Sequence, residues 1–210
     1  TVEDFERDFP SMCFSLATGV GKTRLMGAFI TYLHRAEGIR NFFVLAPNLT
    51  IYNKLIADFT PNTPKYVFQG IAEFAVTPPE IITGDNYETG RGVRDEARKQ
   101  CLLPGMTTDD VVHINIFNIS KITSIETPKG AAKTTTPRLR RLQEYIGESY
   151  FEYLSKLDDL VLLMDESHRY RASAGMKAIG ELKPILGLEL TATPQVEKAG
   201  GTVPFKKLGS

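Results

Sequence analysis

The sequence predicts an α/β fold in which helices flank a mainly parallel β-sheet, and three observations lead to that class. First, four mainly apolar runs predict strands, and a continuous run among them, residues 42–46, is typical of a strand that is covered on both faces of a sheet. These runs lie at residues 12–16, 42–46, 160–164 and 186–190. Second, helical patterns alternate with the runs, as in residues 22–35, where Leu25, Phe29 and Leu33 recur every four residues. Third, a Gly-rich stretch joins the first run to this helix. Such alternation favours a parallel sheet with right-handed crossovers.

The remaining stretches predict shorter elements. Asn48 can cap a helix that runs to about Phe59, because its side chain can accept a hydrogen bond from the backbone of the first turn. Further strands are predicted at residues 65–69, 80–83 and 111–117, and further helices at residues 139–157, interrupted at Gly147, and 176–182. An exposed loop or frayed helix is predicted at residues 86–100, and a mobile loop at residues 127–136.

Composition and charge narrow the class of protein. Lys plus Arg and Asp plus Glu each number 25, so the formal net charge is zero. This balance argues against a protein coated by nucleic acid but allows a local basic face. Cys13 and Cys101 are the only cysteines, and they lack the paired spacing of a metal site, which favours a reducing compartment. No apolar run approaches the ~18 residues that span a membrane. We therefore expect a cytoplasmic protein with no membrane partner.

The stretch between the first strand and the first helix predicts a phosphate-binding loop. Its candidate residues are Thr18, Gly19, Val20, Gly21, Lys22 and Thr23. The two glycines have no Cβ, so their backbone N–H groups can turn towards an anion, which the positive end of the helix also favours. Lys22 can reach the β- and γ-phosphates of ATP, and the Thr23 hydroxyl can ligate Mg²⁺. The competing interpretation is a Gly-rich turn in which Gly-Lys-Thr occurs by chance.

A pair of carboxylates follows the apolar run at residues 160–164 and predicts the catalytic half of the same site. Asp165 and Glu166 should lie at the carboxyl edge of the sheet, where open α/β sheets bind their ligands. Asp165 is suited to hold Mg²⁺, and Glu166 to orient and polarise the attacking water. Taken alone, two acids after a strand more often form a solvated turn. The phosphate-binding loop upstream favours the catalytic interpretation.

Together these motifs resemble those of superfamily 2 helicases and translocases. The matching stretches are motif I at residues 18–23, motif Ia at 47–50, motif II at 165–168 and motif III at 191–193. Leu16 stands where the general phosphate-loop pattern has Gly, as in the helicase-like variant of that loop. Residues 46–51, 114–118 and 165–170 resemble the Res subunit of type III restriction enzymes. The resemblance implies a RecA-like P-loop NTPase domain that uses ATP and Mg²⁺ as an ATP hydrolase.

The resemblance also implies roles for residues outside the phosphate loop and the acid pair. His168 would link the γ-phosphate to a second domain and is counted with Lys22, Asp165 and Glu166 among the catalytic candidates. The residues that would couple nucleotide to motion are Thr191, Ala192 and Thr193. Those that would contact a nucleic-acid backbone are Pro47, Asn48, Thr50, Asn118, Ser120 and Lys121. The implied partners are double-stranded DNA, a second RecA-like domain of the same protein, and a modification (methyltransferase) subunit.

Residues 1–210 are accordingly predicted to be one N-terminal RecA-like domain, without the second RecA-like domain or any nuclease domain, and nearly inactive in isolation. The predicted function is the ATP-binding half of a DNA helicase or translocase. The alternative is a nucleotide-binding regulatory or interaction module that does not translocate. A small-molecule kinase fits poorly, because such kinases do not place these motifs after successive strands. Glu181 and Lys183 resemble part of a nuclease motif, but their segment predicts a helix with a surface charge pair.

Overall fold

A computed structural model describes residues 8–87, 111–119, 149–167 and 173–192 of the chain, and for residues 173–176 the backbone only. Six strands are described: β1 Ser11–Ser15, β2 Asn41–Ala46, β3 Glu80–Thr83, β4 His113–Asn118, β5 Leu160–Asp165 and β6 Leu186–Thr191. The five helices are α1 Lys22–Glu37, α2 Leu49–Phe59, α3 Ala72–Val76, α4 Tyr150–Ser155 and α5 Ser173–Glu181. The strands alternate with helices, which confirms the predicted α/β class. No helix in these described ranges is long and apolar enough to cross a membrane.

The six strands form one sheet in the order β1-β6-β5-β2-β4-β3, and every neighbouring pair is parallel. Because all strands run the same way, their carboxyl ends meet at one edge. Strand β2, which follows β1 in the chain, lies three places away from β1 in the sheet. The later strands β5 and β6 lie between them. The first and last strands of the described chain are thereby neighbours.

Helices cover both faces of the sheet, and the alternation of side chains along the strands divides the core accordingly. On one face, Phe42 and Val44 of β2 pack in a cluster with Met26 of α1 and Leu55 of α2. On the other face the cluster includes the β2 residues Phe43 and Leu45, Leu154 of α4 and Ile179 of α5. The chain moves along the sheet in one direction up to β3 and then reverses, so right-handed crossovers place the two sets of helices on opposite faces. All eight of these side chains are fully or nearly fully buried.

The helix ends follow the local signals in the sequence. Gly38 ends α1 with a φ of 70°, and its N–H donates to the carbonyl of His34 at 3.0 Å. Asn48 caps α2, because its side-chain oxygen accepts from the Ile51 N–H at 2.9 Å. Both predictions are confirmed, and α1 extends two residues beyond the predicted Arg35.

One prediction about the segments between the sheet strands is wrong. Residues 65–69 form consecutive turns and not a strand, and the five-residue helix α3, which follows them, was not predicted. The described part of the predicted helix at 139–157 is α4, which begins after Ser149 because this residue is an extended N-cap in a capping box with Glu152. The predicted mobile loop at 127–136 and most of the predicted loop at 86–100 lie outside the described residues.

Candidate functional site

Three strand ends assemble the candidate site at the carboxyl edge of the sheet. β1 leads into the phosphate loop, β5 ends at Asp165, and β6 lies between them. The Leu16 N–H donates to the carbonyl oxygen of Thr191 at 2.9 Å, which joins the start of the phosphate loop to the end of β6. Thr191 itself is buried, with 1% of its surface exposed. Parts of the chain that lie far apart in sequence therefore meet here.

The predicted phosphate loop has the backbone conformation that such a loop needs. Gly19 and Gly21 have φ angles of 86° and 96°, in the left-handed region that residues with a Cβ rarely adopt. Space is not the constraint at Gly19, because a Cβ built there would meet no atom within 4 Å. The loop is exposed from Thr18 to Val20, and α1 begins immediately afterwards at Lys22. The amino end of α1 is thus presented at the sheet edge, where its partial positive charge favours an anion.

Lys22 and Glu166 contact each other directly across the site. The Lys22 Nζ donates to Glu166 Oε1, and the two side chains are only 11% and 17% exposed. Glu166 has a φ of 51°, an unusual conformation for a residue with a Cβ, which costs about 1–2 kcal/mol. This φ turns the chain sharply where β5 ends. The predicted phosphate-binding cation and the predicted water-orienting carboxylate are therefore partners in the same small space.

Asp165 is a buried acid at this edge, with 8% of its surface exposed. Burial raises the pKa of its carboxyl above the ordinary value, because the surroundings solvate a negative charge poorly. The positive charges of Lys22 and Lys54 oppose this rise in pKa, and the negative charge of Glu166 adds to it. Asp165 therefore lies within electrostatic reach of every charged member of the site, and a further cation nearby would stabilise its ionised form.

The candidate metal ligands suit Mg²⁺ in their chemistry. Thr23 offers a hydroxyl oxygen and Asp165 a carboxylate oxygen, and both residues are buried. Mg²⁺ prefers oxygen ligands and usually keeps several waters when it is bound with nucleotide phosphates, so two protein ligands suffice. Within the described ranges, no group of three or more His, Cys, Asp or Glu residues is placed to hold a metal ion. The oxygen donors of Thr23 and Asp165 thus fit a metal that arrives with a nucleotide.

Lys54 is a member of the site that the sequence reasoning missed. It lies in α2, and its Nζ donates to Thr23 Oγ1 at 3.0 Å and lies 3.3 Å from Asp58 Oδ2. The spacing of Lys54 and Asp58, four residues apart on a helix, predicts only an ordinary surface ion pair. Nothing in the sequence indicates that α2 packs beside the phosphate loop, so the contact with Thr23 could not be foreseen.

The candidate nucleic-acid residues that the structure describes lie along the same edge. Pro47 and Asn48 follow β2, and Asn118 ends β4, whose register pairs it with Ala46. Thr50 is exposed in the first turn of α2. Asn48 has a structural role as the helix cap, and contact with nucleic acid is a separate hypothesis. The remaining predicted site residues lie outside the described part of the chain: Ser120, Lys121, His168 and Thr193.

Comparison with known proteins places the sequence in a family. The family described as "Type III restriction enzyme, res subunit" matches residues 1–196. No curated protein matches the sequence. Among solved structures, the chain is similar to the Sulfolobus solfataricus SWI2/SNF2 ATPase core in complex with dsDNA, with 15% identity and a TM-score of 0.45. That match covers 89% of this chain and 28% of the other, so this chain spans little more than a quarter of its length.

Proposed function

We propose that this chain, which belongs to the family of type III restriction enzyme res subunits, is the ATP-binding half of an ATP-dependent DNA helicase or translocase. The observation that carries the proposal is the convergence of Lys22, Thr23, Asp165 and Glu166 at the carboxyl edge of the sheet. These are a phosphate-binding cation, two oxygen ligands for a metal, and a carboxylate that can orient water. Phosphoryl transfer depends on positioning and charge neutralisation, and this set supplies the groups for both.

The chain's own residues would act on ATP by exchanging partners. The backbone N–H groups of Gly19 and Gly21 and the amino end of α1 hold the phosphates. Lys22 breaks its contact with Glu166 and neutralises the charge of the phosphates. Glu166 can then accept a hydrogen bond from the attacking water. Thr23 and Asp165 would hold Mg²⁺, which when bound neutralises the negative charge that develops on the phosphate oxygens. In the absence of nucleotide, the Lys22–Glu166 contact keeps two partly buried charges paired.

The proposed partners follow from the family and from the groups at the sheet edge. A second RecA-like domain would complete the nucleotide site, and the exposed Val20, with 60% of its surface accessible, and Leu49, with 64%, border the face it would approach. Double-stranded DNA would be contacted at Pro47, Asn48, Thr50 and Asn118. A methyltransferase subunit is a further partner that family membership suggests. We place the protein in the cytoplasm, where ATP and DNA are both present.

The competing function is a nucleotide-binding regulatory module that never moves along DNA. It would use the same phosphate loop but would not couple hydrolysis to nucleic acid. Steady-state ATP turnover by the full-length protein, measured with and without double-stranded DNA, separates the two functions. Stimulation by DNA supports the motor, and DNA-independent turnover or none supports the regulatory module.

The nucleotide site itself is tested by Lys22→Ala, with Lys65→Ala as the matched control. Lys65 is an exposed lysine in the turns after α2. Loss of a charge-assisted contact to phosphate is worth roughly 1.5–3 kcal/mol, so Lys22→Ala should weaken Mg–ATP binding by about 10–100-fold. Isothermal titration calorimetry measures the affinity of each variant. Equal affinity in Lys22→Ala and the control would contradict the assignment of the site.

A further inference from the structure

The second turn of α2 delivers a positive charge to the place where a metal ligand is expected. Lys54 Nζ donates to Thr23 Oγ1 at 3.0 Å and lies 3.3 Å from Asp58 Oδ2, so it bridges α1 and its own helix. Thr23 and Asp58 are 8% and 6% exposed, whereas 57% of the Lys54 side chain is accessible. The lysine therefore reaches from solvent onto two buried oxygen-bearing groups.

The same ammonium acts on the second candidate metal ligand. The positive charge of Lys54 opposes the rise in the Asp165 pKa that burial causes, which places it within electrostatic reach of that carboxylate. Lys54 is thus hydrogen-bonded to one residue that would hold Mg²⁺ and attracted to the other. The Lys54 ammonium therefore contacts the hydroxyl that would ligate Mg²⁺.

Two cations cannot share this oxygen without a cost. If Thr23 Oγ1 accepted from the Lys54 ammonium and ligated Mg²⁺ at the same time, the two positive charges would lie within about 5 Å of each other in a partly buried site, where they repel strongly. Asp58 offers the ammonium an alternative partner that it already approaches. Lys54 can therefore leave Thr23 without losing its pairing with a carboxylate.

We propose that Lys54 competes with Mg²⁺ for Thr23, as a positioning residue that holds the metal-free site and withdraws to Asp58 when the metal–nucleotide complex binds. The inference rests on the proposed function, since it needs Thr23 to be a metal ligand. It also gives α2 a link to the nucleotide. Lys54 lies one turn after Thr50, so the contact between α1 and the helix that carries the candidate nucleic-acid residues is present without metal and released with it. Binding of the metal–nucleotide complex then changes the affinity for nucleic acid, and nucleic acid changes the affinity for the metal–nucleotide complex by the same factor.

The test compares Lys54→Met, which keeps the aliphatic stem but removes the charge, with Lys65→Met as the control. The affinity for the fluorescent nucleotide mant-ADP is measured with saturating Mg²⁺ and again in EDTA. The ratio of the two affinities is the gain due to the metal. Lys54→Met should raise the affinity measured with saturating Mg²⁺, and the gain with it, about fivefold, which is the low end of a typical coupling between two ligands. Lys65→Met should match the wild type.

Two further variants test whether the gain due to Mg²⁺ changes in the direction that competition requires. Asp58→Asn removes the alternative partner of Lys54 and should lower the gain due to Mg²⁺, and Lys54→Arg keeps a cation and should restore a gain close to the wild type. Lys54→Gln replaces Lys54→Met if the latter fails to fold, as judged by its thermal unfolding curve. A gain that is equal to or smaller than the wild-type gain in Lys54→Met overturns the competition. Wild-type protein that binds no mant-ADP under either condition overturns the nucleotide site, and this inference with it.

Discussion

The two edges of the sheet use polar side chains in opposite ways. At the amino edge, Asp159 precedes β5 and accepts hydrogen bonds from the Arg40 N–H at 2.9 Å and from the Asn41 side-chain amide at 2.6 Å. At the carboxyl edge, Lys22 contacts Glu166, and Lys54 bridges Thr23 and Asp58. At Asp159 a carboxylate meets neutral donors at the start of the neighbouring strand β2, whereas the Lys22–Glu166 contact joins charged side chains from separate elements.

The difference fits a division in which the amino edge stabilises the fold and the carboxyl edge carries the proposed chemistry. The donors to Asp159 are consecutive in the chain, because one is the backbone N–H of Arg40 just before β2 and the other is the side-chain amide of Asn41. At the carboxyl edge, Lys54 has two partners, Thr23 and Asp58, and the proposed function gives Lys22 a second partner in an incoming phosphate. We expect the contacts of Asp159 to persist while the protein is folded, and the contacts of Lys22 and Lys54 to be exchanged when a ligand binds.

The largest expected effect separates chemistry from stability at the carboxyl edge. Glu166→Gln should lower steady-state ATP turnover by the full-length protein by about 10²–10⁴-fold while ATP binding is retained. The amide keeps the shape and an oxygen that can still contact Lys22, but it is a poor acceptor for a proton from water. Glu37→Gln, an exposed substitution at the end of α1, is the control. Turnover at the wild-type rate would remove Glu166 from the catalytic role.

The reverse result is expected at the amino edge. Asp159→Ala leaves the Arg40 N–H and the Asn41 amide without their acceptor and should lower the free energy of unfolding by roughly 1–3 kcal/mol. Nucleotide affinity should not change. Asp158→Ala, at the exposed neighbouring position, should have little effect on stability. Urea unfolding measures the free energy, and a change in mant-ADP affinity as large as the change in stability would break the contrast between the edges.

Asn48 sharpens the contrast because it stabilises the fold, as the cap of α2, although it lies at the carboxyl edge. Asn48→Ala removes the acceptor for the Ile51 N–H and should cost about 1 kcal/mol of stability. Asn48→Asp keeps a good helix cap but adds a negative charge. If Asn48 also contacts a DNA phosphate, Asn48→Asp should retain the stability of the wild type and bind DNA more weakly. Unfolding and DNA-binding titrations on both variants decide this, and unchanged DNA binding by Asn48→Asp would leave Asn48 as a cap alone.

The smallest expected effect is a pH dependence of the folding stability at Glu152, which lies in α4 on the opposite face of the sheet from α1 and α2. Hydrogen bonds from the Ser149 N–H and then the Ser149 hydroxyl lower the pKa of Glu152 below its ordinary 4.5. Between the two pKa values the folded protein binds fewer protons than the unfolded chain, so stability falls as the pH falls. The stabilisation is complete above pH 4.5 and is lost as the pH drops through the lowered pKa. Urea unfolding at a series of pH values should show this slope in the wild type and a shallower one in Glu152→Gln.

Much of the secondary structure could be predicted because its causes are local. The apolar run at 42–46 is buried whichever strands lie beside it, and Asn48 and Gly38 set the ends of α2 and α1 through groups within a few residues. The motif residues of the candidate site could likewise be identified, since residue type and spacing carry that signal. Whether His168 and Thr193 take their predicted roles stays a prediction.

Residues 65–69 show where local propensity fails. Tyr66, Val67 and Phe68 favour a strand by composition, but tertiary packing places Phe68 between Phe59 of α2 and Phe74 of α3. Consecutive turns satisfy the backbone there, with the Gln69 N–H donating to Tyr66 and the Ile71 N–H to Phe68. Side-chain packing against two helices thus accompanies the turns, in place of the strand that local propensity favours.

By itself the sequence determined most of the strands and helices that the structure describes, and which residue types stand at the strand ends. Only the tertiary structure decided that β6 separates β1 from β5, that Glu166 meets Lys22, and that Lys54 reaches Thr23. The physical reason is that periodicity reports whether a side chain is buried, and not which element buries it. The contacts that distinguish this site join residues 31 and 144 positions apart in the chain, and no local pattern carries information over that distance.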